Sequence, residues 1–148
     1  MNRNPVAKML HKIFIGTLVM LAGFLSGCSD HKKTTTPGTA LETGRDFIRA
    51  SLDGNFEEAI PHILPDSQNL QLFESYKQYY RRLPEDKKQN YRKASYTINS
   101  YSDLDDSTTV INYSNTYMNK PMEIKMVKDN KVWKVDFKYT YSGSATAE

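Results

Sequence analysis

The chain has little cysteine and little histidine: Cys28 is the only cysteine among 148 residues, and there are three histidines. A single cysteine excludes an internal disulfide, so packing and hydrogen bonds alone must stabilise the fold. His11 and His31 both lie near the N-terminus, which leaves His62 as the only histidine beyond residue 31. One histidine without a second cysteine is too little for a zinc cluster or for a triad built on histidine.

Glycine is also scarce, since only Gly44 and Gly54 lie between residues 40 and 141. A loop that cradles phosphate needs several glycines close together, because the backbone must approach the phosphate oxygens. The sequence therefore predicts no phosphate-binding loop, no metal and no cofactor.

The chain begins without a hydrophobic run long enough to cross a bilayer. The apolar segment 13–25 has 13 residues, whereas a transmembrane helix needs about 20. Three basic residues and no acid precede this segment, and the small residues Ser26 and Gly27 follow it. This is the pattern of a secretory signal peptide, which we predict for residues 1–27.

Charge of neither sign dominates once the predicted signal peptide is set aside. The whole chain carries 20 lysine and arginine residues against 17 acidic residues. Arg3, Lys8 and Lys12 belong to the signal peptide, so the remainder is balanced at 17 of each sign. Net charge therefore gives no reason to expect nucleic acid as a partner.

The apolar segment ends at Leu-Ser-Gly-Cys, residues 25–28, and this sequence resembles the lipobox of bacterial lipoproteins. The resemblance implies that the Cys28 thiol receives a diacylglyceryl group, with palmitate as an expected acyl chain, and that cleavage makes Cys28 the first residue. The alternative is a free cysteine behind an ordinary signal peptide. Two acyl chains anchor a protein stably, so the resemblance implies a membrane-bound lipoprotein without a span.

The implied location is the cell envelope, on the extracytoplasmic side of a membrane. Ser29 favours the outer membrane if the source is Gram-negative, by analogy with lipoprotein sorting. Residues 28–39 are polar and predict a lipidated, flexible tether. Residues 40–141 are enough for one domain with one core, and residues 142–148 predict a disordered tail.

Three helices are predicted in the first half of this domain. The first runs from Leu41 to Ser51 at helical apolar spacing and stops at Asp53-Gly54-Asn55, where Gly54 suits a left-handed end. Asn55 should cap the second helix, with Glu58 as its capping-box partner.

Pro61 should shorten or kink the second helix, because proline lacks a backbone N–H. The third helix follows Pro65 and ends before Pro84, and another helical turn is expected before Arg92. The predicted apolar face of the third helix consists of Leu72, Tyr76, Tyr79 or Tyr80, and Leu83.

From Ala94 onward apolar residues alternate with polar ones, which is typical of β-strands. Turn-forming residues separate four strands at Asp105-Asp106, at Asn119-Lys120-Pro121 and at Asp129-Asn130. Links this short force neighbouring strands to be antiparallel.

One face of these strands is predicted to lie inward, because the other face carries charges. The last strand is expected to run from Trp133 to Tyr141. The predicted inward residues are Tyr96, Ile98, Ile111, Tyr113, Asn115, Tyr117, Met122, Ile124, Met126, Trp133, Val135, Phe137, Tyr139 and Tyr141. The predicted fold class is α+β, with N-terminal helices packed on one face of a curved, four-stranded antiparallel meander.

Helix, the link DGNFEEA, helix and a meander ending in KVWKVDF resemble the nuclear-transport-factor-like superfamily, a cystatin-like α+β architecture. More narrowly, they resemble a family of small bacterial lipoprotein domains of unknown function. The resemblance covers residues 40–141 and implies a cone-shaped fold with a pocket between sheet and helices. The residues expected to line this pocket are Phe47, Tyr76, Tyr80, Tyr113, Tyr117, Trp133 and Phe137.

Some members of that superfamily use the pocket for proton transfer, with buried carboxyls and a tyrosine, as in ketosteroid isomerase. Here no predicted inward strand residue is acidic, and Asp46 and Glu74 on the helices should face solvent. We therefore predict no catalytic residue, and a binding module whose partner is a small apolar ligand or an envelope protein. The alternative is an isomerase or dehydratase that uses a helix carboxylate and pocket tyrosines.

Between Tyr76 and Lys93 basic residues outnumber acidic ones, and four tyrosines are interleaved with them. One interpretation is a solvated helix face. The other is a surface that contacts anionic lipid headgroups or acidic glycans.

Overall fold

The structure is a computed structural model, and it describes residues 38–144. The predicted signal peptide, Cys28 and residues 28–37 of the predicted tether lie outside this range. Within the range, no helix is long and apolar enough to cross a membrane.

Residues 38–144 form helices followed by a four-stranded sheet and a final helix, so the predicted α+β class is confirmed. The helices are α1 (Ala40–Asp53), α2 (Phe56–Ala59), a 3₁₀ turn (Ile60–His62), α3 (Ser67–Arg82), α4 (Glu85–Lys93) and α5 (Phe137–Ser144). The strands are β1 (Tyr96–Asp105), β2 (Thr108–Asn115), β3 (Pro121–Asp129) and β4 (Val132–Val135).

Helix α1 has a defined start and a defined stop. A capping box closes its start: the Thr39 Oγ1 accepts a hydrogen bond from the Glu42 N–H at 3.2 Å, and the Thr39 N–H donates to the Glu42 carboxylate at 2.8 Å. Gly54 ends the helix with a φ of 70°, as predicted. A Cβ at this position would lie 2.5 Å from the Tyr80 ring, so only glycine fits here.

The second helix departs from the prediction at its start and follows it at its end. Asn55 precedes α2 but makes no capping hydrogen bond, so the predicted capping box with Glu58 is wrong. The physical reason is its ψ of 76°, which is far from the extended backbone of a capping residue. Pro61 shortens this helix as predicted, because α2 ends at Ala59 and continues as a 3₁₀ turn.

Helix α3 lies across the domain with a face centred on Phe73. Asn69, Phe73 and Tyr80 are its buried residues, whereas the predicted face residues Leu72 and Tyr76 are half-buried beside them. The Asp66 carboxylate caps the helix by accepting a hydrogen bond from the Asn69 N–H at 2.9 Å. After Pro84 the expected helical turn extends into the nine-residue helix α4.

The sheet is an antiparallel meander in the order β1-β2-β3-β4. Ile111 lies opposite Ile124, and Met126 lies opposite Val135. All four side chains are fully buried, which confirms their predicted inward direction. Helix α1 passes close above them at Gly44, where an added Cβ would lie 2.5 Å from the Ile111 Cδ1.

The predicted last strand is too long. Strand β4 ends at Val135, and residues 137–144 form helix α5, which also overlaps the predicted tail at 142–148. The alternation of Trp133, Val135, Phe137 and Tyr139 is compatible with a strand, but tertiary packing decides otherwise. Tyr139 therefore lies on α5 rather than on a strand, and it is 37% exposed.

Packing of Phe137 explains why the chain leaves the sheet there. Its ring centroid lies 5.4 Å from that of Phe73 and 6.2 Å from that of Phe47, within the aromatic cluster of the helices. The Asn69 Oδ1 accepts a hydrogen bond from the Lys138 N–H at 2.7 Å in the first turn of α5. Helix α5 thereby contacts both β3 and α3.

Candidate functional site

A cavity of about 640 Å³ lies between the helices and the sheet. Helices α1, α3, α4 and α5, strands β2 and β3, and the turn between these strands all contribute to its wall. Its lining residues are Phe47, Ile48, Ser51, Leu52, Ser75, Tyr76, Tyr79, Tyr91, Asn112, Tyr113, Asn115, Met118, Lys120, Pro121, Met122, Glu123, Phe137, Tyr139 and Thr140. The volume falls within the range of about 300–1,000 Å³ that is usual for small-molecule sites.

Four of the seven residues that the sequence assigns to a pocket line this cavity: Phe47, Tyr76, Tyr113 and Phe137. Helical spacing predicts Phe47 and Tyr76, and strand alternation predicts Tyr113. Phe137 lines the cavity from α5, although the sequence places it on a strand. The cavity is therefore assembled partly by an element that the alternating pattern does not predict.

The other three residues lie elsewhere, which corrects their assignment. Tyr80 is buried against Phe56, with ring centroids 5.3 Å apart, and lines a separate cavity of about 270 Å³. Tyr117 follows the end of β2 and packs edge-on against Tyr91 at 4.8 Å. Trp133 is half-buried on β4, with the Lys128 ammonium 4.7 Å from its ring centroid, rather than beside Tyr80.

The wall carries two tyrosine hydroxyls that make no hydrogen bond within residues 38–144. Tyr76 and Tyr113 are half-buried, and among the described residues neither hydroxyl makes a hydrogen bond. Burial raises the pKa of Tyr76, and it raises the pKa of Tyr113 to about 12. Both phenols are therefore neutral near pH 7 and can donate or accept a hydrogen bond from a bound molecule.

A third unsatisfied group comes from the end of β2. Asn115 is 2% exposed, and its Oδ1 accepts hydrogen bonds from the backbone N–H groups of Tyr117 at 3.1 Å and Met118 at 2.8 Å. Its Nδ2 is buried with no hydrogen-bond partner among the described residues. The same holds for the Ser51 and Thr140 hydroxyls, so three lining residues carry an unpaired buried polar atom. Such atoms are rare in folded proteins and point to a missing partner.

Two charged residues belong to the cavity wall. Lys120 is exposed and makes no ion pair within the described part of the chain. Glu123 is exposed as predicted, yet it lines the cavity, which corrects the expectation that no strand carboxylate does so. Its carboxylate accepts hydrogen bonds from the Tyr139 hydroxyl at 3.1 Å and from the Asn112 Nδ2 at 3.2 Å. The bond to Glu123 raises the pKa of Tyr139, because it stabilises the protonated phenol.

The two helix carboxylates considered in the sequence lie outside the cavity wall. Asp46 is exposed on α1, and Glu74 forms an ion pair with Lys77 on α3. The hydrogen bond from Lys77 lowers the pKa of Glu74. Neither residue can act as a general base on a molecule held in the cavity.

The basic stretch of α3 and α4 is partly neutralised. Lys77 pairs with Glu74, and both Lys88 and Arg92 pair with Glu85. The remaining basic side chains are exposed, and they are Arg81, Arg82, Lys87 and Lys93.

Within residues 38–144, no three His, Cys, Asp or Glu side chains are grouped as metal ligands require. Comparisons with protein families, with curated proteins and with solved structures found no match. The resemblance to lipoproteins and to the nuclear-transport-factor-like superfamily therefore stays a prediction from the sequence.

Several residues of the wall could not be assigned from sequence spacing. Lys120 and Met118 lie in a turn, where alternation carries no information about direction. Tyr139 and Thr140 belong to α5, which resembles a strand in sequence. The alternation of β2 predicts that Asn115 lies inward. It does not predict that two backbone N–H groups of the following turn donate hydrogen bonds to its Oδ1.

Proposed function

We propose that this chain is a lipid-anchored envelope protein whose domain binds a small, largely apolar molecule without transforming it. The open cavity between helices and sheet is the observation that carries this proposal. A well-formed apolar pocket with a few convergent polar groups is the usual sign of a small-molecule site. Of the two partners predicted from the sequence, the cavity favours the small ligand over the envelope protein.

The composition of the wall sets the affinity that we expect. Aromatic side chains such as Phe47, Tyr76 and Phe137 offer rings to a bound ring, and Met118 and Met122 adapt to its shape. A two-ring molecule that buries about 250 Å² of apolar surface gains about 6 kcal/mol at 25 cal/mol per Å². Hydrogen bonds to unpaired wall groups add to this gain, so binding in the micromolar range is expected.

The cavity can be tested with a neutral probe, N-phenyl-1-naphthylamine, whose emission rises in apolar surroundings. We expect saturable binding to the chain that begins at Ser29, which keeps every described residue. Ser75 is an exposed residue of α3 that lines the cavity, so Ser75→Trp should fill part of it and weaken binding at least fivefold. The emission of the directly excited probe measures this change.

Gln78→Trp is the matched control, since Gln78 is exposed on the same helix and does not line the cavity. It should leave probe affinity unchanged. Equal affinity in both variants, or no saturable binding to the unmodified chain, would contradict the proposed function.

The proposed anchor has a test of its own, because Cys28 lies outside the described residues. Cys28→Ala should abolish incorporation of an alkynyl palmitate in cells, since no other thiol is present. Ser29→Ala, which keeps the cysteine, should incorporate the label normally. If Cys28→Ala still incorporates the label, the lipobox assignment is wrong.

An enzyme of the isomerase type is the second candidate, favoured by the hydrogen bond between Glu123 and Tyr139 at the cavity. Such chemistry needs a carboxylate base that is held away from water and a tyrosine hydroxyl that donates a hydrogen bond to the substrate. Glu123 is exposed, and the Tyr139 hydroxyl donates its hydrogen bond to Glu123 instead. Binding without catalysis is therefore the function that these residues support better.

A further inference from the structure

The orientation of the Asn115 amide defines the polar character of one end of the cavity. Oxygen and nitrogen of an asparagine amide are told apart by their hydrogen bonds. Two backbone N–H groups, from Tyr117 and Met118, donate to one atom of this amide, so that atom must be the oxygen. The other atom is then the NH₂ group, a donor that is buried and has no partner among the described residues.

Lys120 adds a positive charge at the same end. Asn115 and Lys120 flank the turn between β2 and β3, which the Asn119 N–H closes by donating to the Asn115 carbonyl at 2.9 Å. Both residues line the cavity, and Lys120 has no ion pair within residues 38–144. This end of the cavity therefore combines an unpaired cation at its surface with an unpaired donor buried in its wall.

The acidic group of the wall already has two partners. Glu123 accepts hydrogen bonds from Asn112 and Tyr139 through its two different carboxylate oxygens. The Asn115 NH₂ group and the Lys120 ammonium, in contrast, have no such partner within residues 38–144. A bound molecule with an anionic acceptor can pair with both of them, whereas a bound amine would share Glu123 with Asn112 and Tyr139.

The rest of the wall fits a ring system. Phe47 and Phe137 are buried, and the Tyr76 ring lies 5.8 Å from that of Phe137. Tyr113 adds a further ring on the sheet side. Aromatic walls of this kind hold a flat ring by edge-to-face and offset contacts.

We propose, building on the proposed function, that the ligand is an aromatic carboxylate. Its ring lies among the aromatic residues of α1, α3 and α5, and its carboxylate faces the turn between β2 and β3. The Asn115 NH₂ group donates a hydrogen bond to the carboxylate, and the Lys120 ammonium pairs with it. Tyr76 and Tyr113 offer further hydroxyl groups along the wall.

Three molecules that share a naphthalene ring and differ in their polar group test this assignment: 2-naphthoate, 2-naphthylmethanol and 2-naphthylmethylamine. Each displaces N-phenyl-1-naphthylamine from the chain that begins at Ser29. We expect 2-naphthoate to bind at least tenfold more tightly than the alcohol, because hydrogen bonds to a charged group are the stronger ones. The amine should bind no more tightly than the alcohol.

Two substitutions assign this preference to the proposed residues. Lys120→Gln should weaken 2-naphthoate about fivefold and leave the alcohol unchanged, while Lys87→Gln on α4 should affect neither. Asn115→Asp keeps an oxygen for the two backbone N–H groups but replaces the donor by a negative charge. It should weaken 2-naphthoate more than tenfold, with probe affinity reporting that the cavity is intact.

The outcomes separate this inference from the proposed function. If the probe binds and Ser75→Trp blocks it, but 2-naphthoate binds no better than the alcohol, the carboxylate assignment is wrong and the binding function stands. Tightest binding of the amine would overturn the assignment in favour of recognition by Glu123. A preference for 2-naphthoate that survives Lys120→Gln undiminished would overturn the placement of the carboxylate. If Asn115→Asp does not fold, Lys120→Gln still tests where the carboxylate binds.

Discussion

Replacing Phe73 with alanine is expected to lower the free energy of unfolding by about 3–5 kcal/mol. Phe73 is 1% exposed, and its ring contacts four other aromatic rings. The distances between ring centroids are 6.2 Å to Phe47, 5.9 Å to Phe56, 6.2 Å to Tyr76 and 5.4 Å to Phe137. Truncation removes all four contacts and leaves a hole that neighbours from different elements cannot close together.

Urea denaturation followed by circular dichroism measures this loss. Tyr79→Ala on the same helix is the control, because Tyr79 is 59% exposed and should cost under about 0.5 kcal/mol. A loss below about 1 kcal/mol for Phe73→Ala would show that the aromatic cluster does not form as described. Phe73 does not itself line the cavity, so this result tests the fold and not the ligand.

Phe73 also shows how far spacing alone predicts a helix face. Leu72, Tyr76 and Leu83 recur at helical spacing, and Asn69, Phe73 and Tyr80 repeat this spacing three positions earlier. The predicted apolar face offers Tyr80 as an alternative to Tyr79, but it omits Phe73 and the polar Asn69. Asn69 is nevertheless fully buried, since its amide bonds both Asp66 and Lys138. The helix is predictable from the sequence, but its central face depends on partners that are 3 and 69 residues away.

The sheet was predictable for a simpler reason. Its strands are joined by short turns, so each strand pairs with its neighbour in sequence. Asn130 and Lys131 both have positive φ, at 48° and 68°, which is the geometry of a two-residue hairpin turn. Alternation then fixes which side chains face the helices, as Ile111 and Ile124 show. Local geometry determines all of these features, and no distant contact is needed.

The alternating pattern does not predict where the last strand ends. Residues 133, 135, 137 and 139 alternate on both sides of Asp136, and only packing tells strand from helix there. The Asp136 N–H still donates to the Lys125 carbonyl at 2.8 Å, and the chain then turns into α5. This helix supplies Phe137, Tyr139 and Thr140 to the cavity wall. The sequence therefore predicts Phe137 as a residue of the wall, but it does not predict the helix that places Phe137 there.

Asn69→Ala is expected to release this helix and to lower the free energy of unfolding by about 3 kcal/mol. The Asn69 Oδ1 accepts a hydrogen bond from the Lys138 N–H at 2.7 Å, and its Nδ2 donates to the Asp66 carboxylate at 2.7 Å. Alanine leaves the Lys138 N–H without its partner, at a cost of about 1–3 kcal/mol, and removes a hydrogen bond to a charged group that contributes about 1.5–3 kcal/mol. Asn90→Ala, at an exposed position of α4, should change stability by less than about 0.5 kcal/mol.

The same substitution links the fold to the proposed function. If Asn69 positions α5, Asn69→Ala should speed amide hydrogen exchange in residues 137–144 before it affects α1 or the strands. Probe affinity should fall at least threefold under conditions where the variant is still folded, because Phe137, Tyr139 and Thr140 line the cavity from α5. Exchange that stays slow in this helix, together with unchanged probe affinity, would mean that its other contacts, such as the packing of Phe137 and the bond from Tyr139 to Glu123, hold α5 in place. The buried Asn69 network would then not be what determines the shape of the cavity.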